Sequence, residues 1–291
     1  MVENDEVGTG PAQVVTSGQP GLARADHDDI DSLLHSGTFS GRNGTVTIMI
    51  GTSRDGDVVT IELQREDRRN ALNTELCVLL RDAVDEVVAD GARVIVLTGQ
   101  GRAFCAGADL SGDVYADGFT DTLLEMLHTI DSAPIPVIAA INGPAVGAGT
   151  QLAIASDLRV VTPDAFFAIP AVKLGISVDS WTVKRLSSLV GGGPARTVLL
   201  GAEQISAADA YTFGLANKIG DLAAAQEWAK RIAALAPLSL RHLKMVFNDD
   251  GTQDEVPQDQ LDALHAAWSS EDMLEASRAR HEKRTPTFRG R

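Results

Sequence analysis

The chain has 291 residues and a formal net charge of −15, with a sequence pI near 4.7. Phosphate backbones select a basic footprint, so this balance excludes a general nucleic-acid surface. With 44% apolar and 22% charged residues the composition is that of a globular protein with a full core; the two cysteines, Cys77 and Cys105, without a CxxC or a nearby histidine pair, exclude a disulfide framework and a zinc site.

Residues 1–48 are rich in Gly, Ser and Asp and hold no helical or strand period, so a disordered acidic extension is expected there. Up to Gly44 it carries seven acids and two bases, which leaves the remainder at net −10. The body is therefore acidic in its own right. Neither a membrane span of about 18 apolar residues nor a basic-then-apolar leader is present, and the expected location is cytoplasmic.

From Val58 the stretch VVTIELQ alternates apolar and polar residues and predicts a strand, with the ordered body starting near it. Asn73–Ala89 has apolar residues at helical spacing and Gly91 as a stop. RVIVLT (Arg93–Thr98) and IPVIAAI (Ile135–Ile141) are short apolar runs of the kind found in buried parallel strands. Helices are expected over Leu123–Ile130 and Gly149–Ser156, and a further strand over Leu158–Val161. Strand, glycine-rich turn and helix in repeated order predict an α/β fold with crossover helices.

After about Trp181 the strand signal fades. Ser206 with Asp209 has the spacing of a capping box, and helices are expected over Asp221–Ala236, Leu238–Phe247 and Gln258 to about Ala279. The expected division is a core over 49–235 followed by a helical region over 236–291.

Two loops carry the candidate chemistry: FCAGAD (Phe104–Asp109) after RVIVLT, and NGPAVGAG (Asn142–Gly149) after IPVIAAI. Small residues let a ligand approach the main chain, and backbone N–H groups at a helix start hold negative charge. Two such loops could aim two donors at one oxygen, as an oxyanion hole does. The sequence holds no GxxxxGK[ST], GxSxG, HExxH or strand-linked GxGxxG, and its six histidines show no ligand spacing.

RRNALN (Arg68–Asn73), VIVLTGQGRAFCAGADL (Val94–Leu110), PVIAAINGPAVGAGTQLAIASDLRVV (Pro136–Val161) and GLANKIG (Gly214–Gly220) occur in an order that resembles the crotonase, or enoyl-CoA hydratase/isomerase, superfamily, and within it the actinobacterial branch. The resemblance covers Val58–Arg291. It implies a spiral of ββα units followed by a helical trimerisation region, a homotrimer or a pair of trimers, and a role in fatty acid metabolism. Coenzyme A would enter as part of the ligand, with no resident cofactor or metal. By the same resemblance the N–H groups of Ala108 and Ala148 form the oxyanion hole, Arg69 and the segment around Ala106 hold CoA, and the two hydratase glutamates fall at Gln151 and Ala171.

An amide cannot usefully accept a proton near neutral pH, and alanine can do nothing of the kind. The pair of replacements therefore predicts an acyl-CoA binder that does not hydrate. Alternatives are an isomerase using Asp179, which matches the aspartate of dienoyl-CoA isomerases, or a weak hydratase with water held by Gln151. Asp179 equally suits the N-cap of SWTVKRLSSLV (Ser180–Val190). Trp181 with Leu123, Leu124 and Leu127 is a candidate acyl wall, or plain core.

Overall fold

The computed structural model describes residues 39–41, 44–46, 49–110, 118–249, 251 and 255–290. Of the extension expected to be disordered, strands β1 (Phe39–Gly41) and β2 (Gly44–Val46) pair antiparallel; residues 1–38 lie outside the described residues. Residues 38–291 cluster as one unit.

That unit is built on a six-stranded sheet. Strand β3 (Ile50–Asp55) forms an antiparallel hairpin with β4 (Val58–Leu63), so regular structure begins before Val58. No sequence signal announces β3, because GTSRD carries no apolar alternation. The strand is held by its ladder to β4. Next come α1 (Thr74–Ala89), β5 (Val94–Gly99), α2 (Phe119–Ser132), β6 (Val137–Ile141) and β7 (Ala145–Val146). Helix α3 (Ala148–Ala155), β8 (Leu158–Val161) and β9 (Phe166–Ala168) follow.

Strands β4, β5, β6 and β8 run parallel as neighbours. Their side chains alternate between two buried faces. Ile95 and Leu97 point into the cluster shared with α1, α2 and α3, whereas Val94 and Val96 point to the opposite cluster. That second face is covered by α7 (Leu222–Ala233), through Ala225, Ala229 and Ile232. Burial on both faces explains why RVIVLT is apolar throughout rather than alternating, and each such side chain contributes roughly 1.5–3 kcal/mol.

A second, shorter sheet stands after the main strands in the chain. After β6 comes β7, and after β8 comes β9, which pairs parallel to β7. In the two earlier repeats the same role falls to single-residue bridges, Leu72 to Ala108 and Cys105 to Ala145. Main strand, second-sheet segment and helix thus recur as a ββα unit.

Beyond Trp181 the chain is mainly helical: α4 (Ser180–Val190), α5 (Gly192–Leu199), α6 (Ala207–Thr212), then α7, α8 (Pro237–Asn248), α9 (Gln258–Trp268) and α10 (Glu271–His281). Two strands still occur there, β10 (Gln204–Ser206) beside β9 and β11 (Lys218–Ile219) beside β8. At three and two residues they are too short to show a period. Ser206 caps α6 by accepting from the Asp209 N–H. The single helix expected over Gln258–Ala279 is two, because Ser270 turns its hydroxyl to the Met273 N–H and starts α10 afresh.

Candidate active site

The two glycine-bearing loops meet. Cys105 N–H donates to Pro144 O and Cys105 O accepts from Val146 N–H, at 3.2 and 3.0 Å. On the other side of the same loop, Leu72 N–H donates to Gly107 O at 2.8 Å and Asp109 N–H to Leu72 O at 2.7 Å. A parallel bridge of this kind uses the groups on either side of Ala108, so the N–H of Ala108 itself faces away from Leu72. Ala148 is the first residue of α3, where backbone N–H groups lack an intrahelical acceptor.

Two glycines permit the approach. Gly107 has φ +99°, and a Cβ there would sit 2.6 Å from Val146 O and 3.7 Å from Ala148 N. At Gly149 a Cβ would strike Cys105 O. The structure therefore brings Ala108 and Ala148 into adjoining segments, at the start of a helix whose dipole favours negative charge.

A polar frame that the sequence reading did not single out holds these loops. Asn70 is fully buried in the left-handed region, φ +57°. Its Nδ2 donates to Gln100 O and Ala103 O, both at 2.9 Å, while its Oδ1 accepts from Arg65 N–H at 3.0 Å. Arg65 in turn pairs with Asp109 at 2.7 Å, directly after Ala108. Asn142 ties Gly99 O and Gly101 O, at 2.7 and 2.9 Å. The available signal was chemical: asparagine both tolerates φ > 0 and bridges backbone groups in turns.

Arg69 and Ala106, the two residues expected to hold CoA, line one cavity of about 470 Å³ together with Glu66, Gln100, Arg102 and Val146. Arg102, to which no sequence motif points, lines the same cavity as Arg69, and a pair of arginines suits phosphate.

Gln151 is 6% exposed. Its Nε2 donates to Asp179 Oδ2 at 3.0 Å and to Thr182 Oγ1 at 2.7 Å. Asp179 is the N-cap of α4: its Oδ1 accepts from Thr182 N–H at 2.9 Å, and its Oδ2 also accepts from Thr182 Oγ1 at 2.7 Å. Four hydrogen bonds thus join Gln151, Asp179 and Thr182, three of them ending on one carboxylate.

Ala171 opens the 3-10 turn Ala171–Leu174 and is buried. It lines a second, mainly apolar cavity of about 280 Å³ with Val178, Val183, Ala195 and Leu199. Leu123, Leu127 and Trp181 line neither cavity; they are buried in the main core with Ala148, and Leu124 packs against it. Burial pushes the thiols of Cys77 and Cys105 up to about 12, so both are unreactive packing groups. Among the described residues there is no cluster of His, Cys, Asp or Glu that could hold a metal, and no helix long and apolar enough to cross a membrane.

Residues 53–291 match the sequence profile of the enoyl-CoA hydratase/isomerase family. The chain is 53% identical over 242 residues to the probable enoyl-CoA hydratase echA6 of Mycobacterium tuberculosis, a match covering 83% of this chain and all of that protein. An enoyl-CoA hydratase/isomerase structure from Pseudoalteromonas atlantica T6c superposes with a TM-score of 0.75 at 26% identity, over 83% of this chain and all of the other. A methylmalonyl-CoA decarboxylase in complex with 2-nitronate-propionyl-CoA shares the fold, at TM-score 0.76 and 23% identity, over 84% of this chain and all of the other. Repeated ββα units, two abutting glycine loops and these matches lead to one conclusion: the chain belongs to the enoyl-CoA hydratase/isomerase family, whose fold is that of crotonase.

Proposed function

We propose that the protein binds a fatty acyl- or enoyl-CoA thioester without hydrating it. The thioester oxygen would sit between the N–H groups of Ala108 and Ala148, and the CoA phosphates near Arg69 and Arg102, beside Ala106. The observation that carries this reading is the engagement of Gln151. Its amide donors are spent on Asp179 and Thr182, and the other position where a carboxylate would act holds Ala171. A general acid–base group typically contributes about 10²–10⁴-fold. Losing both leaves the oxyanion hole to hold a carbonyl with nothing to move a proton.

One observation favours a second reading. Asp179 sets a carboxylate against Gln151, the position where the family resemblance puts a hydratase glutamate, and an isomerase would use that carboxylate as its base. Against it, three donors already occupy that carboxylate. A weak hydratase would have to hold water on Gln151 alone.

Titration with saturated, enoyl- and dienoyl-CoA, with conjugation followed by ultraviolet absorbance, separates the two main readings. Binding without change in the dienoyl ligand removes the isomerase. Isomerisation that disappears in Asp179→Asn would overturn the binder.

The homotrimer, or pair of trimers, belongs to the same proposal. Leu238, Leu243, Val246 and Phe247 of α8 are all exposed, and large apolar side chains gathered on one helix are of the kind that subunit interfaces cover. The proposed division keeps the core at 49–235 and this helical region at 236–291. A cytoplasmic site of action goes with it.

A further inference from the structure

The direction of the Ala108 N–H is set by what flanks it. Ala106 N–H donates to Arg69 O at 3.0 Å, Leu72 N–H to Gly107 O at 2.8 Å and Asp109 N–H to Leu72 O at 2.7 Å. These contacts fix the loop on both sides of Ala108 without using its N–H. All of them end on residues 69–72, so the aim of that N–H is only as good as the placement of this one segment.

The segment is strained. Arg69 and Asn70 are consecutive non-glycine residues in the left-handed region, at φ +53° and +57°. A non-glycine residue there is uncommon, and it persists where the surroundings over-determine it. The turn brings Ala71 back beside Arg65, six residues earlier in the chain.

Arg65 closes that turn. Its Nη1 donates to Ala71 O at 2.8 Å, and its Nη2 pairs with Asp109 Oδ2 at 2.7 Å. One guanidinium thus grips both sides of the Leu72–Ala108 bridge, next to Leu72 on one segment and next to Ala108 on the other. The two side chains are only 16% and 10% exposed, so solvent ions screen the pair little. A planar fork reaches two acceptors in fixed directions, which an ammonium group on a flexible stem does not. The guanidinium also neutralises a carboxylate one residue from Ala108, which unpaired would oppose negative charge on the thioester oxygen. Arg65 lines neither of the two cavities described above.

We propose that Arg65 is a positioning residue of the oxyanion hole, whose fork sets the direction of the Ala108 N–H without touching the ligand. This rests on the acyl-CoA reading above. Ala108 polarises the carbonyl, and Arg65 holds Ala108 where it can do so.

The test is isotope-edited infrared spectroscopy of the full-length protein saturated with a straight-chain acyl-CoA labelled with carbon-13 at the thioester carbonyl, with affinity from calorimetry. Hydrogen bonding to the oxygen lowers the carbonyl stretch, so the band reads the oxyanion hole itself. In the wild type it is expected at lower wavenumber than in the free ligand. In Arg65→Lys it should return at least halfway to the free position, with affinity about tenfold weaker. Arg65→Ala should do at least as much; if that variant fails to fold, the lysine variant alone decides. Asp221→Ala, which strips the cap of α7 on the opposite face of the sheet, should lower stability with the band unmoved. A wild-type band in Arg65→Lys, or an equal displacement in Asp221→Ala, overturns the positioning role and leaves the acyl-CoA reading standing. A wild-type complex whose band stays at the free position overturns the oxyanion role of Ala108 and the positioning role with it. Failure of the thioester to bind the wild type overturns the acyl-CoA reading itself.

Discussion

Nε2 of Gln151 lies 3.0 Å from Oδ2 of Asp179, so the position where the family's resemblance places a glutamate faces a carboxylate already in place. An amide suits that neighbour and a second carboxylate does not. Gln151→Glu alone is therefore expected to leave enoyl-CoA hydration at background. It should also lower the melting temperature near neutral pH, since two adjacent carboxylates resist joint ionisation. The melting temperature should partly recover on acidification, as the pair comes to share a proton. Thermal melts across pH, with a hydration assay alongside, check both statements.

Asp179→Ala removes the α4 cap and leaves Nε2 of Gln151 with Thr182 alone. Cap loss typically costs about 0.5–2 kcal/mol, and the stranded buried donor about 1–3 kcal/mol. Asp179→Asn should cost less, because asparagine also caps helices. Urea denaturation of both variants measures the difference.

Gly149→Ala drives a methyl group into Cys105 O. The loops bearing Ala108 and Ala148 must separate, at a cost of about 1–3 kcal/mol for overpacking, and acyl-CoA affinity should fall with them. Calorimetry on the folded variant tests this; unchanged affinity would detach the loop contact from ligand binding.

Arg69→Ala and Arg102→Ala should each weaken CoA-ester binding several-fold, with a shallower salt dependence than the wild type, because exposed guanidinium–phosphate attraction is screened by ions. Neither should alter the relative affinity for different acyl groups, since both line a cavity to whose wall Gln151 does not contribute. Titrations at two ionic strengths read both effects.

The C-terminal segment has its own pH response. The Arg284 guanidinium, hydrogen-bonded to Glu275, together with the Thr287 N–H, holds the Glu275 carboxyl down to about 2. A depressed carboxylate stabilises the fold fully above its unfolded value, near 4.3 in model peptides, and loses that contribution as pH falls towards 2. Exchange of the Thr287 amide should stay protected at pH 6 and rise, relative to intrinsic exchange, only below about pH 4.5.

Much of this architecture was legible in the chain. The run RVIVLT announced a strand buried on two faces, and Asn73, Asp179 and Asp221 announced the helix starts that they cap. What could not be read were features without a local period: β3, whose residues are mostly exposed, the single-residue bridges at Leu72 and Cys105, and the break at Ser269–Ser270. Asn70 and Arg65 were equally silent, because their partners lie up to 44 positions away and depend on how the loops fold together. By sequence Asp179 suits either a helix cap or a base. In the structure it caps α4 and orients Gln151 through the same carboxylate, a coupling that no spacing within one helix announces.

Mass spectrometry of a saturating enoyl-CoA complex distinguishes retention of the thioester from its hydration. Stoichiometric binding is expected with no addition of water beyond the uncatalysed rate. Conversion to the 3-hydroxyacyl thioester at an enzymatic turnover, about 1 per second or faster, would contradict it.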